Sequence, residues 1–271
     1  MLFGKGGISI FNAVHFTYDG IWSGIYSLQI ASFDNTNVET TGVFAPALKV
    51  SKTARGNRFF CTGVEYDKTP SYKFSIISED IISDGLRRDV LSWLMARRGF
   101  RRLQIHQPYL NGYYYNCVFS SVDMIYVNGN CHGFEITAEF DSPYAYGKPN
   151  VKRIISGGEE TEITITNDSD ILDDYVYPIV KFTAKGRVSG KDITIINESD
   201  DGRVFEFGGL PLNEEFTVDN ELKIISGNFG GDKLSCFNKN WLRLKKGANE
   251  LKVRINGEAV IECPTFSLIG F

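Results

Sequence analysis

The sequence predicts a mainly β protein in two parts: a sheet-rich first domain with one main helix, residues 1–148, and a second domain built as a β-sandwich, residues 149–271. Three observations carry this. Phe (20) and Tyr (13) far outnumber Met (3), and aromatic and β-branched residues favour strands. Beyond residue 150, short apolar runs alternate with polar residues between Gly, Asn and Asp, the cadence of an all-β unit. Only SDGLRRDVLSWLMARRGF, residues 83–100, changes clearly to the helical period.

In order along the chain, ISIFNAVHFTYDG reads as short strands ending in the tight-turn dipeptide Asp19-Gly20. Trp22 and Ile25 then begin an apolar strand that continues through Tyr26, Leu28 and Ile30. Residues 34–58 are polar and punctuated by Gly42, Pro46 and Gly56, which marks a long excursion, either a loop or a hairpin arm. Excursions of this length in a compact domain are uncommon unless functional or held by a partner, so Asn35 to Arg58 is expected to touch a neighbouring subunit. FFCTGVEYD and SYKFSIISED are strands, with Tyr72, Phe74 and Ile76 on one face. The helix has Ser83 or Asp84 as its cap, Leu86, Val90, Trp93 and Leu94 as its apolar stripe, and Gly99 as its stop. RLQIHQ, YYYNCVFSSVDMIYV and GFEITAEFDSPYAYG are strands, and Asn128-Gly129 is a hairpin turn. Two prolines and a glycine in SPYAYGKPN close the domain.

The second domain is predicted from ETEITITN, YPIVKFTA, KDITIINES, RVFEFGG, EEFTVD, ELKIISG, NWLRLKKG and NELKVRING. Pro178 belongs at a strand start, where its missing N–H costs no ladder bond. WLRLKKGANELKVRING reads as the last hairpin, Trp241, Leu242 and Leu244 leading to a turn at Gly247 and Leu251, Val253 and Ile255 returning. EAVIECPTFSLIGF reads as the closing strand.

Net charge is −4, divided as +1 before Asn150 and −5 after it, so no overall field recruits nucleic acid or an anionic membrane. Five cysteines without a CxxC are expected as reduced, partly buried thiols. No run of 18 apolar residues predicts a membrane span, and the chain is expected to be soluble and cytoplasmic at synthesis. Metal ligation would have to use Cys131 and His132 with Cys117, and His15, His106 and His132 read as strand histidines. The arginines Arg87, Arg88, Arg97, Arg98, Arg101 and Arg102 could contact phosphates, but Asp84 and Asp89 dilute the patch, so they read as a solvated or subunit-facing helix side. Enzyme chemistry would rest on Asp168, Asp170, Asp173 and Asp174 with Glu198, Asp200 and Asp201, as in a glycoside hydrolase. Only Tyr175 and Tyr177 flank those acids as sugar platforms, and a solvated acidic loop is the plainer reading. No residue is assigned as catalytic, cofactor-binding or metal-binding, and no cofactor is expected.

FTYDGIWSGIYSLQI, DVLSWLMARRGFRRLQI, FEITAEFDSPYAYG and, in the second part, ITITN, YPIVKF, ITIIN, GLPLNEEFTVDNELKII and WLRLKKGANELKV occur in this order. Together they resemble the distal tail protein family of phages with long, non-contractile tails. That resemblance implies a ring-forming first domain, commonly six copies around the tail lumen, and a galectin-like β-sandwich projecting outward. It implies a structural, non-enzymatic part of the virion at the distal end of the tail, assembled in the host cytoplasm. The implied partners are the tail tube protein, the tail-tip hub, the tape measure and receptor-binding proteins, with DNA passing through the lumen without sequence-specific binding and no membrane insertion. The ring role would fall to Trp22, Leu86 to Arg98 and Phe134 to Phe140; Asn167, Pro178, Asp219 and Leu244 to Asn249 match structural positions of the second domain. A carbohydrate-binding module acting in host adsorption is the alternative.

Overall fold

A computed structural model describes residues 11–32, 47–53, 56, 58–65, 69–172, 174–228 and 231–269. The chain divides into two compact units, Met1–Ala145 with Leu268–Phe271, and Tyr146–Ser267. It is mainly β; among the described residues there is one α-helix.

The first unit contains β1 (Phe11–Val14), β2 (Phe16–Tyr18), β3 (Ile21–Trp22), β4 (Gln29–Ser32), β5 (Ala47–Lys52), β6 (Phe59–Glu65), β7 (Ser71–Ile77), α1 (Asp84–Met95), β8 (Arg101–Ile105), β9 (Tyr115–Val127) and β10 (Asn130–Phe140). Eight strands form one sheet in the order β1-β4-β7-β10-β9-β8-β2-β3. Its hairpins turn where the sequence has the chemistry for it: Asp19 and Gly20 (φ 50° and 77°), like Asn128 and Gly129 (51° and 82°), hold two consecutive left-handed residues, which match the strand twist. On β10, Phe134, Ile136 and Ala138 face the core in alternation. Val90, Trp93 and Leu94 of α1 close that core, and the Trp93 indole N–H donates to the Tyr18 carbonyl at 3.1 Å. Ser83 caps the helix, its hydroxyl accepting from Leu86 N–H at 3.3 Å.

Two expectations fail here. Residues 23–26 are a 3₁₀ turn, not a strand, and β4 begins only at Gln29. The Trp22 ring lies against Gly24, where any Cβ would meet it, and Ser27 turns left-handed (φ 55°), so the chain folds under the tryptophan. The helix ends at Met95, with Ala96 as its cap, and Gly99 (φ 84°) lies in the connection to β8.

The second unit contains β12 (Asn150–Asn167), β13 (Ile179–Gly186), β14 (Ile193–Asn197), β15 (Arg203–Phe207), β16 (Glu215–Asp219), β17 (Ile224–Gly227) and β18 (Gly247–Cys263). It is preceded by β11 (Ala145–Tyr146), which pairs with β19 (Phe266–Ser267). The predicted terminal hairpin does not exist. β18 is one strand of 17 residues that joins the expected return strand to the first residues, 258–263, of the expected closing one, and its partner is β12, about a hundred residues earlier in the chain. The other edge of β18 pairs with β14 over residues 251–255 and with β13 over 256–262. The β12–β18 ribbon bends where Gly158 (φ 118°) and Gly257 (φ 149°) sit, and a Cβ on Gly257 would collide with the Thr183 carbonyl oxygen. The bend curls the sheet so far that Asn150, at one end of β12, donates from Nδ2 to the Thr166 carbonyl near the other end at 2.7 Å. β13 and β15, which share no ladder, thereby meet through Phe182 and Phe207, ring centroids 5.5 Å apart, inside one apolar core.

Residues 241–246 run through this unit without a ladder; their one bridge joins Leu244 to Val176. Buried backbone must be hydrogen-bonded, and side chains supply the bonds. Asn220 accepts from Leu242 N–H at 2.8 Å and donates to the Pro178 carbonyl at 2.6 Å. Asn197 donates to the Arg243 carbonyl (2.9 Å), Asn167 to the Leu244 carbonyl (3.3 Å), and Asn249 both accepts from and donates to Lys245 backbone (3.0 and 2.8 Å). All four asparagines are fully buried.

Candidate intersubunit surface

Among the described residues, strands β5 and β6 pair only with each other, apart from the main sheet. Leu48 opposes Val64 and Lys49 opposes Gly63; then Val50 opposes Cys61, leaving Thr62 as an extra residue on β6. This is a bulge, made possible by Gly63 at φ 155°. The bulge keeps the side chains in phase. Leu48, Val50 and Lys52 share one face with Val64, Cys61 and Phe59, and the Lys52 ammonium lies 5.8 Å from the Phe59 ring centre. The opposite face carries Phe60 and the Lys49–Glu65 ion pair.

Among the described residues, almost nothing covers this ribbon. Leu48 is 65% exposed, Phe59 64%, Val64 57%, Phe60 54% and Val50 51%. A lone two-stranded ribbon is marginal in water, and contiguous exposed apolar surface marks an interaction site. Covering a large apolar side chain stabilises by about 1.5–3 kcal/mol when burial is complete, so this face has enough to gain for an interface. Of the predicted excursion, residues 34–46, 54, 55 and 57 lie outside the described residues; Ala47–Lys52 is a strand of a hairpin and not loop.

Four of the acids considered for chemistry, Asp168, Asp174, Glu198 and Asp200, make structural contacts. Asp200 is buried, and the Arg243 guanidinium donates to both its oxygens at 2.8 and 3.3 Å while lying 3.9 Å over the Tyr175 ring. Burial pushes the Asp200 carboxyl up, but Arg243, Tyr175 and Lys245 together outweigh it and hold the group below the usual carboxylate range. A general acid needs the opposite shift. Glu198 pairs with Lys252 at 2.9 Å, Asp168 accepts from Asn150 at 2.8 Å, and Asp174 accepts from Tyr175 N–H at 2.7 Å; Asp173 lies outside the described residues. Among the described residues, no three His, Cys, Asp or Glu side chains converge as a metal site. His15 bonds Ser23 and the Leu28 carbonyl, His106 bonds Thr17, and His132 bonds the Ser78 carbonyl. Cys117, Cys131 and Cys263 are buried free thiols, Cys236 is half-buried and Cys61 is exposed.

The arginines separate. Arg97 and Arg101 both approach Asp19, at 3.0 and 3.8 Å, Arg102 stacks 3.8 Å over Tyr114, and Arg87 pairs with Asp84 at 2.9 Å. Trp241 is half-buried against Phe237, ring centroids 4.8 Å apart.

Residues 11–142 match the phage tail protein N-terminal domain, and residues 144–263 match the phage tail C-terminal domain. In fold the chain is similar to the Dit protein of phage SPP1, described as a paradigm of the hub adsorption apparatus in phages infecting Gram-positive hosts. The two are 13% identical with a TM-score of 0.66, over 93% of this chain and 98% of that one. It is also similar to a chain of the phage p2 baseplate in its activated, strontium-bound conformation, 7% identical with a TM-score of 0.54, over 93% and 97% of the respective chains. No curated protein matches it in sequence. With both of its domains matched in order along nearly its whole length, the chain belongs to this family of phage tail proteins.

Proposed function

We propose that the chain is the distal tail protein of its phage: a non-enzymatic structural subunit that forms a ring between the tail tube and the tail tip or baseplate. The observation that carries this reading is the uncovered β5–β6 ribbon, whose apolar face needs a neighbour, in a chain whose fold matches a hub protein across both domains. Residues 1–148 form the ring, as a hexamer, and residues 149–271 are a galectin-like β-sandwich on its outside. Its curled seven-stranded sheet with one continuous core supports that outline. The ring's neighbours are the tail tube protein, the tail-tip hub, the tape measure and receptor-binding proteins. DNA crosses its lumen without sequence-specific contacts, and the subunit sits at the distal end of the virion tail after assembly in the host cytoplasm.

Arg97 and Arg101, directed to Asp19, and Arg102, laid on Tyr114, are engaged within their own copy, which supports a lumen free of an arginine lining that would retard DNA. Direct sugar binding by the second domain has less support, because Arg243 already occupies a face of Tyr175 and Trp241 packs on Phe237. Light scattering over a concentration series, with electron micrographs of the same sample, tests the proposal. A closed oligomer of fixed mass is expected; a monomer at every concentration, alone and with the tail tube and hub proteins added, overturns it.

A further inference from the structure

A closed ring needs two different surfaces on each copy, one that is presented and one that receives. The ribbon is the first. Resting on the ring reading above, we infer that the second is the end of the main sheet beside the first turn of α1, and that the β5–β6 face of one copy seats on Ile81, Met124 and Tyr126 of the next.

These three side chains are 58%, 42% and 53% exposed, and hydrogen bonds link Met124 and Tyr126 to each other and to Arg87. Met124 and Tyr126 share a face of β9. The Tyr126 hydroxyl donates to Met124 Sδ at 3.4 Å and accepts from Arg87 Nη1 at 3.3 Å, and Arg87 is fixed in turn by Asp84. Ile81 is adjacent because Ile82 N–H donates to the carbonyl of Cys131, the residue opposite Tyr126 in the ladder. The face of β9 that carries Phe119 in the core thus continues past the helix as open apolar surface.

Two features match it to the ribbon. The first is charge: exposed Lys52 and Arg58 stand at the ribbon's turn end, whereas exposed Glu79, Asp80 and Asp84 border Ile81. Opposite charges at a rim fix register and suppress wrong partners. The second is side-chain chemistry, since a thioether is adaptable and favours aromatic rings, and the ribbon offers Phe59 beside Val64 and Leu48. In this arrangement Lys52 of one copy faces Asp80 of the next.

The native thiol of Cys61 lies on the ribbon's apolar face and reports its position. In Met124→Cys, a short bismaleimide added to assembled protein should give a ladder of covalent oligomers up to the ring. Adding Cys61→Ser should abolish the ladder. Separately, Lys52→Glu should raise the concentration needed for half-assembly about tenfold, and Asp80→Lys in the same chain should restore it. A ring of normal mass that yields no ladder, with no rescue by the paired reversal, overturns this docking and leaves the ring reading standing. Wild-type protein that forms no oligomer at all overturns both.

Discussion

Asn220 shows what one residue does in this fold. It replaces a missing ladder, giving its amide oxygen to Leu242 N–H and its amide N–H to the Pro178 carbonyl from a fully buried position. Asn220→Ala would leave a buried donor and acceptor unsatisfied, each costing about 1–3 kcal/mol. The urea midpoint should fall by an amount corresponding to roughly 2–4 kcal/mol with an unchanged slope. Asp200 gives a second prediction, in pH. Its carboxyl is held below the usual range, so it contributes stability above the unfolded carboxylate pKa and loses it as pH falls through the lower folded value. The stability gap between wild type and Asp200→Asn should therefore be widest near neutrality and close below about pH 4, as read from urea midpoints across the range.

At the scale of elements, a glycine decides the shape of the second unit. Gly257 adopts φ 149° against the Thr183 carbonyl at the bend of the ribbon. Gly257→Ala adds both a collision and a strained backbone, and should destabilise by more than about 3 kcal/mol, which circular dichroism melting would register. Ser83→Ala, losing one helix cap, should cost only about 1 kcal/mol. Elements whose signals are local were legible in the sequence: the Asp19-Gly20 and Asn128-Gly129 turns, the Ser83 cap and the alternation of β10 each depend on neighbours a few residues away. The final hairpin was misread because Trp241 to Leu244 and Leu251 to Ile255 carry the same apolar period as a hairpin, while the pairing that wins is between Asn150–Asn167 and Gly247–Cys263. Asparagines at 167, 197, 220 and 249 were the available sign of a strandless buried segment, but a buried amide cannot be told from a turn asparagine without the fold. The ribbon was legible in pieces, Ala47–Lys52 inside an excursion read as loop or hairpin arm and Phe59–Glu65 as a strand. Its uncovered apolar face was not, since exposed and buried strands share one pattern.

On the scale of the whole chain, each unit closes its own core, one around Phe134 and Trp93 and the other around Phe182 and Phe207. Neither core borrows its largest side chains from the other, so the units should open separately. The cysteines report on this. Cys117 lies in the first core and Cys263 in the second; burial pushes the Cys117 thiol far up and the Cys263 thiol to about 12, so near pH 8 both are shielded and protonated. A maleimide pulse along a urea series, with modified peptides quantified by mass, should find Cys61 labelled throughout and Cys117 and Cys263 labelled at different midpoints. Asn220→Ala should then move the Cys263 midpoint and leave that of Cys117 in place. Equal shifts at both thiols would mean that the units unfold as one cooperative body, and that substitutions in the second unit cannot be read without following the first as well.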